Sequence, residues 1–215
     1  MSNKEFKIFR QAEQFYFKGE SEQAIDKYND VLKLNPKNYV AYVRIADIHA
    51  KVQNYKDALL QLEKAKSLCP TVYAVNLEFG QVYSMSGNLE DAKKYYHRAV
   101  MINPKRTEAI EMLAPVCAES RDHVLIKNTL EFAIDHHSSN VNITFMYGAT
   151  MMLNFINDNI EAKKKTVSVL EKAYSLGCRE KALLIFLGSA HKTLGNLNSS
   201  QKYWNELELM EKENS

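Results

Sequence analysis

Apolar residues recur along this chain at a fixed interval of 34 residues, and each interval holds two stretches of helical spacing. In frames starting at Glu5, Tyr39 and Tyr73, position 20 is Ala24, Ala58 and Ala92. Position 24 is Tyr28, Leu62 and Tyr96, and position 27 is Val31, Ala65 and Ala99. Position 32 is proline in all three: Pro36, Pro70 and Pro104. In the first half of the third frame, Asn76, Phe79, Gly80 and Tyr83 fall on one face of a helix. Gly19 and Gly87 hold position 15, where a glycine tolerates the left-handed conformation that ends a helix. Alanine at position 20 lets a second helix approach closely, and the proline stops it. Each frame therefore reads as a helical hairpin. A fixed period of this kind means one unit stacked on copies of itself.

Three weaker frames follow. The fourth starts at Thr107, with Leu113, Ala114, Cys117, Leu130 and Ala133 in register, but has Ile126 at position 20 and Ser138 at position 32. The fifth starts at Val141 with Tyr147, Gly148 and Met151. Its second half (Thr166, Leu170, Ala173) fits only after about six extra residues around Asn154–Asn159. Those residues are expected to form a surface loop with a polar turn, Asn157-Asp158-Asn159. The sixth starts at Lys181, with Leu187, Gly188, His191, Gly195, Ser200, Trp204 and Leu207. The expectation is an all-α solenoid of about six hairpins in one array over residues 1–215. The repeats run approximately over 5–38, 39–72, 73–106, 107–140, 141–180 and 181–214. Ser2 and Glu5 have the spacing of a capping box. Pro115, at position 9 of the fourth frame, is expected to kink or break its helix.

These residues resemble the tetratricopeptide repeat family. Its pattern is a large residue at 4, Leu at 7, Gly or Ala at 8, Tyr at 11, Gly near 15, Ala at 20, an aromatic at 24, Ala at 27 and Pro at 32. Frames one to three match it through Ala12, Phe15, Gly19, Ala24, Tyr28 and Pro36, then Tyr42, Ile45, Ala46, Ala58, Ala65 and Pro70, then Phe79, Gly80, Tyr83, Gly87, Ala92, Tyr96, Ala99 and Pro104. The resemblance implies a right-handed superhelix whose first helices line a concave groove for a peptide or protein. It places positions 2, 5, 6, 9, 12 and 13 of each first helix on that groove. In this chain the implied partner-binding residues are Phe6, Phe9, Arg10, Phe17, Val40, Val43 and Arg44 in the first two frames. Leu77, Glu78, Glu108 and Glu111 follow in the next two, and Phe145, Met146, Met152, Ile185 and Phe186 in the last two. The implied wall is apolar at both ends and acidic in the middle. Such a wall suits an amphipathic helix or extended peptide with apolar anchors. The alternative is that these side chains are buried against neighbouring helices. One subclass of the family grips a chaperone's C-terminal carboxylate with basic and amide residues. Phe9, Glu13, Arg44, Ala74 and Leu77 stand at those positions here, so that clamp is absent.

Composition narrows the function further. The 28 basic and 26 acidic residues are interspersed and leave a net charge of +2, which gives no field for nucleic acid. No run approaches the ~20 apolar residues of a membrane-spanning helix, so no membrane insertion is expected. Cys69, Cys117 and Cys178 are odd in number and scattered, which points to a reducing, cytoplasmic setting. No catalytic or metal motif is present, so no cofactor and no enzymatic activity are expected. His49 and His191 sit at packing positions. His136 and His137 are adjacent and so poorly placed as a metal pair. Glu108, Glu111 and Glu119 share a helix, which by itself is no catalytic site. The reading is a non-enzymatic adaptor or scaffold that binds a protein or peptide. The alternatives are a self-associating platform acting through the array ends and, less favoured, a helical-repeat RNA binder.

Overall fold

The computed structural model describes residues 2–136, 139–157 and 159–213. His137, Ser138 and Asp158 lie outside them. Among the described residues there are twelve helices and no strand. In chain order they are α1 (Asn3–Lys18), α2 (Ser21–Leu34), α3 (Tyr39–Lys51), α4 (Tyr55–Leu68), α5 (Tyr73–Met85) and α6 (Leu89–Ile102). Then come α7 (Glu108–Glu119), α8 (His123–His136), α9 (Val141–Asn154), α10 (Ile160–Ser175), α11 (Lys181–Thr193) and α12 (Leu197–Glu213). The fold is an all-α solenoid of helical hairpins. The chain divides into two compact units, Met1–Val116 and Cys117–Ser215. In the first, α1 pairs with α2, α3 with α4 and α5 with α6; in the second, α8 packs on α9, α9 pairs with α10 and α11 with α12.

Outside the fifth frame, the hairpin turns share one conformation. Position 15 adopts the left-handed conformation in five frames: Gly19 (φ 76°), Gln53 (φ 60°), Gly87 (φ 80°), Arg121 (φ 57°) and Gly195 (φ 79°). Only three of those five are glycine. Position 16 then caps the second helix in the middle frames. Asn54, Asn88 and Asp122 accept hydrogen bonds from the backbone N–H of Asp57, Asp91 and Leu125 at 3.5, 3.2 and 3.1 Å. Before each repeat proline, Asn35, Cys69 and Asn103 leave the helical region (φ −140°, −145° and −143°), which the proline ring disfavours for its neighbour.

Close approach within a hairpin depends on positions 8 and 24. A Cβ on Gly80 would come within 2.4 Å of the Tyr96 ring, one on Gly148 within 2.5 Å of Leu170, and one on Gly188 within 2.7 Å of the Trp204 indole. The large residue fills the space that the small one leaves, and this complementarity sets the packing of each pair. The capping box forms: Ser2 Oγ accepts from the Glu5 N–H at 3.1 Å and Glu5 accepts from the Ser2 N–H at 3.3 Å.

Two expectations change. Pro115 does not break its helix, because α7 runs continuously from Glu108 to Glu119. The extra residues of the fifth frame are not all surface loop. Asn157 and Asn159 are exposed, but Ile156 is buried and joins Val167, Leu170 and Leu183 in the core. An apolar side chain within a polar segment gains more by entering that core than by facing water.

Candidate functional site

The first helices of the Met1–Val116 unit carry most of the predicted groove residues. Phe6 and Phe17 lie eleven residues apart on α1, about three helical turns, and so share one face. They are 50% and 75% exposed. Phe9 is half-buried, packing against the core and meeting Tyr28 edge-on at 5.9 Å. Arg10 is exposed; Val40 and Leu77 are half-buried, and Val43 is buried.

Between the two exposed phenylalanines the face is polar and fixed. Arg44 donates through Nε and Nη2 to the two carboxylate oxygens of Glu13 at 3.0 and 3.2 Å. This bidentate pair joins α3 to α1, and Tyr28 Oη donates to the same carboxylate. The Arg44 guanidinium also lies 4.8 Å from the centre of the Tyr16 ring. Tyr16 Oη donates to Asp47, which also pairs with Lys51 at 2.7 Å. Arg44 is thus held by its neighbours and is not a free cation for a partner.

Glu78 follows on α5. Its carboxyl is pushed up to about 8, chiefly by burial, with the Asp47 charge adding to the shift and Lys51 and Arg44 opposing it. At neutral pH it carries a proton and can donate as well as accept. Glu108 and Glu111 on α7 are exposed. Glu108 pairs with Arg106 at 2.7 Å, and Tyr73 Oη donates to it at 3.4 Å. The acidic middle of the predicted wall is therefore partly neutralised by its own neighbours.

In the Cys117–Ser215 unit the aromatic residues come together. Phe145 on α9 and Phe186 on α11 stack with centroids 6.3 Å apart. With Met152 they pack on the core cluster of that unit. Met146 is half-buried and Ile185 is 40% exposed. Here the predicted residues form a layer over the core, and Ile185 is the most open of them. His191 is a buried packing residue, as expected. Its Nε2 is 3.1 Å from Glu171 and its ring stacks on Tyr203 at 5.5 Å.

Sequence reasoning missed the buried carboxylate of Glu5. It accepts from Asn35 at 2.8 Å and from Asn38 at 3.1 Å, tying the start of α1 to the turn before α3. Those hydrogen bonds, that from Asn35 foremost, hold its carboxyl below the usual range. Two clefts stand out elsewhere. One of about 830 Å³ is lined mainly by α2 and α4 residues, among them Asp26, Asp30, Lys33, Gln61 and Lys64. The other, about 240 Å³, is lined by Arg179, Leu184, Glu206, Leu209 and Met210. Among the described residues there is no group of His, Cys, Asp or Glu able to hold a metal ion. No helix among them is long and apolar enough to cross a membrane.

Comparison with known proteins agrees with this architecture. Family models described as tetratricopeptide repeat match residues 8–38, 39–72 and 73–106. Over 110 residues, 51% of its length, the chain is 28% identical to the RNA polymerase-associated protein CTR9 of Caenorhabditis elegans, and it spans 10% of that protein. The solved structure of pilF from Pseudomonas aeruginosa superposes with a TM-score of 0.63 at 14% identity, covering 96% of this chain and 91% of that one. YrrB, described as a repeat protein with an unusual peptide-binding site, superposes with a TM-score of 0.63 at 14% identity, covering 84% and 90%. At these identities the structural likeness is one of fold.

Proposed function

The chain belongs to the tetratricopeptide repeat family through residues 8–106, and from that premise we propose that it is a non-enzymatic adaptor whose first-helix face holds a peptide or helix of a partner protein. One observation carries this reading: Phe6 and Phe17 stand exposed on one face of α1, either side of the rigid Glu13–Arg44 pair. Large aromatic side chains left in water on a preorganised surface favour a contact. The ion pair supplies a fixed polar point between two apolar anchors, and the protonated Glu78 supplies a donor. A peptide with two apolar side chains about 16 Å apart, three helical turns, would match. The peptide-binding site described for YrrB shows that the fold supports such a role in another protein.

The test is affinity capture from source-cell lysate with quantitative mass spectrometry. Wild type is compared with a Phe6→Glu, Phe17→Glu variant. Both side chains are already exposed, so circular dichroism should show unchanged helix content. Partners held by wild type and lost by the variant would establish the first-helix face as the binding surface. An unchanged partner list would remove it. Phe9→Glu is unsuitable, because Phe9 packs against the core.

A further inference from the structure

Position 6 of a first helix meets position 9 of the first helix before it. At the first such contact Arg44, position 6 of α3, donates through Nε and Nη2 to Glu13, position 9 of α1. At the third, Met112, position 6 of α7, accepts from the amide of Gln81, position 9 of α5, at 4.0 Å. The repeat carries the same register to the contact between them. There Glu78, position 6 of α5, faces Asp47, position 9 of α3, and the Asp47 charge strengthens the hold of Glu78 on its proton. A carboxyl thus opposes a carboxylate where the preceding contact has a guanidinium.

The cations nearby are already committed. Arg44 is held by Glu13 and by the Tyr16 ring. Lys51 Nζ donates to Asp47 at 2.7 Å and to Tyr16 Oη at 3.0 Å, and lies 4.6 Å from the centre of that ring. Three carboxyls, on Glu13, Asp47 and Glu78, therefore share two cations. The groups that face Glu78 are Arg44, Asp47 and Lys51 on α3 and the Tyr96 phenol on α6. Among the described residues none donates a hydrogen bond to it, and Tyr96 Oη turns instead to Met112 Sδ at 3.8 Å. The free protein balances the layer by keeping a proton on Glu78, which is half-buried.

The surroundings favour a cation on a long apolar stem. Met85, at position 13 of α5, is 49% exposed and Met112 is 40% exposed, so methionines flank the carboxyl pair. The methylenes of a lysine or arginine can lie along such thioethers while the charged head reaches beyond them. A bare metal ion would need more oxygen ligands gathered at one point, and the described residues offer no such group.

We propose that the notch between Asp47 and Glu78 takes a lysine or arginine side chain of the bound peptide, with both carboxylates as acceptors. The proposal rests on the reading of the first-helix face as a peptide site and adds the charge of one of its contacts. On docking, Glu78 releases its proton to solvent and pairs with the incoming cation, as Glu13 pairs with Arg44. The donor of the free protein becomes an acceptor in the complex.

The probes are two tripeptides, acetyl-Leu-Arg-Leu-amide and its citrulline counterpart, which has nearly the same shape and no charge. Neither peptide titrates between pH 6 and pH 8. The Glu78 carboxyl carbon is followed by carbon NMR of glutamate-labelled protein and assigned by its loss in Glu78→Gln. At pH 7 the arginine peptide should move that carbon from its acid to its carboxylate position. Calorimetry in two buffers of different ionisation enthalpy should show release of nearly one proton per peptide. Affinity should fall about tenfold from pH 7 to pH 6, because only the ionised fraction of Glu78 pairs. The citrulline peptide should do none of this. Glu78→Gln should weaken the arginine peptide about tenfold and abolish the proton release. Equal binding of the two peptides, no binding of either, or arginine-peptide binding with Glu78 still protonated would each overturn the cation site. The adaptor reading fails separately, in the capture experiment with Phe6→Glu, Phe17→Glu, where Glu78 is unaltered. That variant should bind the arginine peptide like wild type.

Discussion

The two units keep the same hairpin geometry with different materials. In the Met1–Val116 unit, polar bridges hold the first-helix layer: Glu5 to Asn35 and Asn38 within the first repeat, Glu13 to Arg44 between the first and second, and Tyr73 Oη accepting the Ala109 N–H at 3.0 Å between the third and fourth. In the Cys117–Ser215 unit the first-helix layer is apolar, with Phe145 stacked on Phe186 and Met152 on the core, and the polar bridges between repeats lie instead on the second helices, Glu131 to Lys165 and Tyr174 to Glu206. What both retain is the small residue at position 8 facing a large one at 24. The difference teaches that the stack needs steric complementarity at a few positions, and that the bridges between repeats are interchangeable.

The sharpest way to break this comparison is to add one methyl group at position 8 in each unit. Gly80→Ala drives a Cβ into the Tyr96 ring, which is buried and cannot turn aside. Overpacking of this kind costs about 1–3 kcal/mol, against about 1 kcal/mol gained from helix propensity. A net loss of up to about 2 kcal/mol is expected in urea unfolding followed by circular dichroism. Gly148→Ala meets the end of the flexible Leu170 side chain, and Gly188→Ala meets the half-exposed Trp204, which can swing outward. Both should lose less, about 1 kcal/mol or below. Equal losses at all three sites would show that the rigidity of the facing residue does not matter.

The polar bridge should break next. Arg44→Met keeps the apolar stem but leaves the Glu13 carboxylate without its guanidinium partner. Both side chains are part-buried, 33% and 21% exposed, so the pair lies between the surface and interior cases. A loss of about 1–2 kcal/mol is expected, less in 1 M salt where the pair is already screened. In the second unit, Lys165→Met removes the partner of Glu131, and both groups are more than 40% exposed. That loss should stay below about 1 kcal/mol.

Much of this was legible from the sequence, and the reasons for the remainder are physical. Periodicity gave the helices, the turns at Gly19 and Gly87 and the capping box, because each depends on one residue type at one offset. It did not separate Phe6 and Phe17 from Phe9. All three have a groove-facing position, but only the contact with Tyr28 decides that Phe9 is partly inside. Nor did it show that Arg44 was already taken, since Glu13 lies 31 residues away. Ile156 was hidden by its polar neighbours. Glu5 was read as a local cap because its partners at 35 and 38 lie 30 and 33 residues further along the chain.

Glu78 sharpens the comparison through pH. Its carboxyl titrates near 8 in the folded protein and at the ordinary 4.5 when unfolded. Between those values the folded state holds a proton that the unfolded state has released. The stability this group supplies is therefore complete below pH about 4.5, falls as pH rises, and is gone above about 8. Glu78→Gln removes that slope. The variant should match wild type at pH 4.5 and exceed it by at least about 1 kcal/mol at pH 9, the equivalent of a single pKa unit. A constant difference between the two proteins across that range would show that Glu78 is ordinarily ionised in the fold.

The smallest effect tests the turns and runs the other way. Gln53 and Arg121 adopt φ of 60° and 57° at position 15, where Gly19, Gly87 and Gly195 do the same without a side chain. A left-handed conformation costs an L-residue roughly 1–2 kcal/mol, and a glycine pays instead in unfolded-state entropy. Substituting glycine should therefore stabilise by about 0.5–1 kcal/mol at each site, one in each unit. The following caps, Asn54 and Asp122, are untouched by either change. The two gains should be nearly equal, because the turn geometry is shared even where the packing differs. A gain at Gln53 with a loss at Arg121 would mean that the Arg121 side chain supports its unit through contacts worth more than the backbone strain it carries.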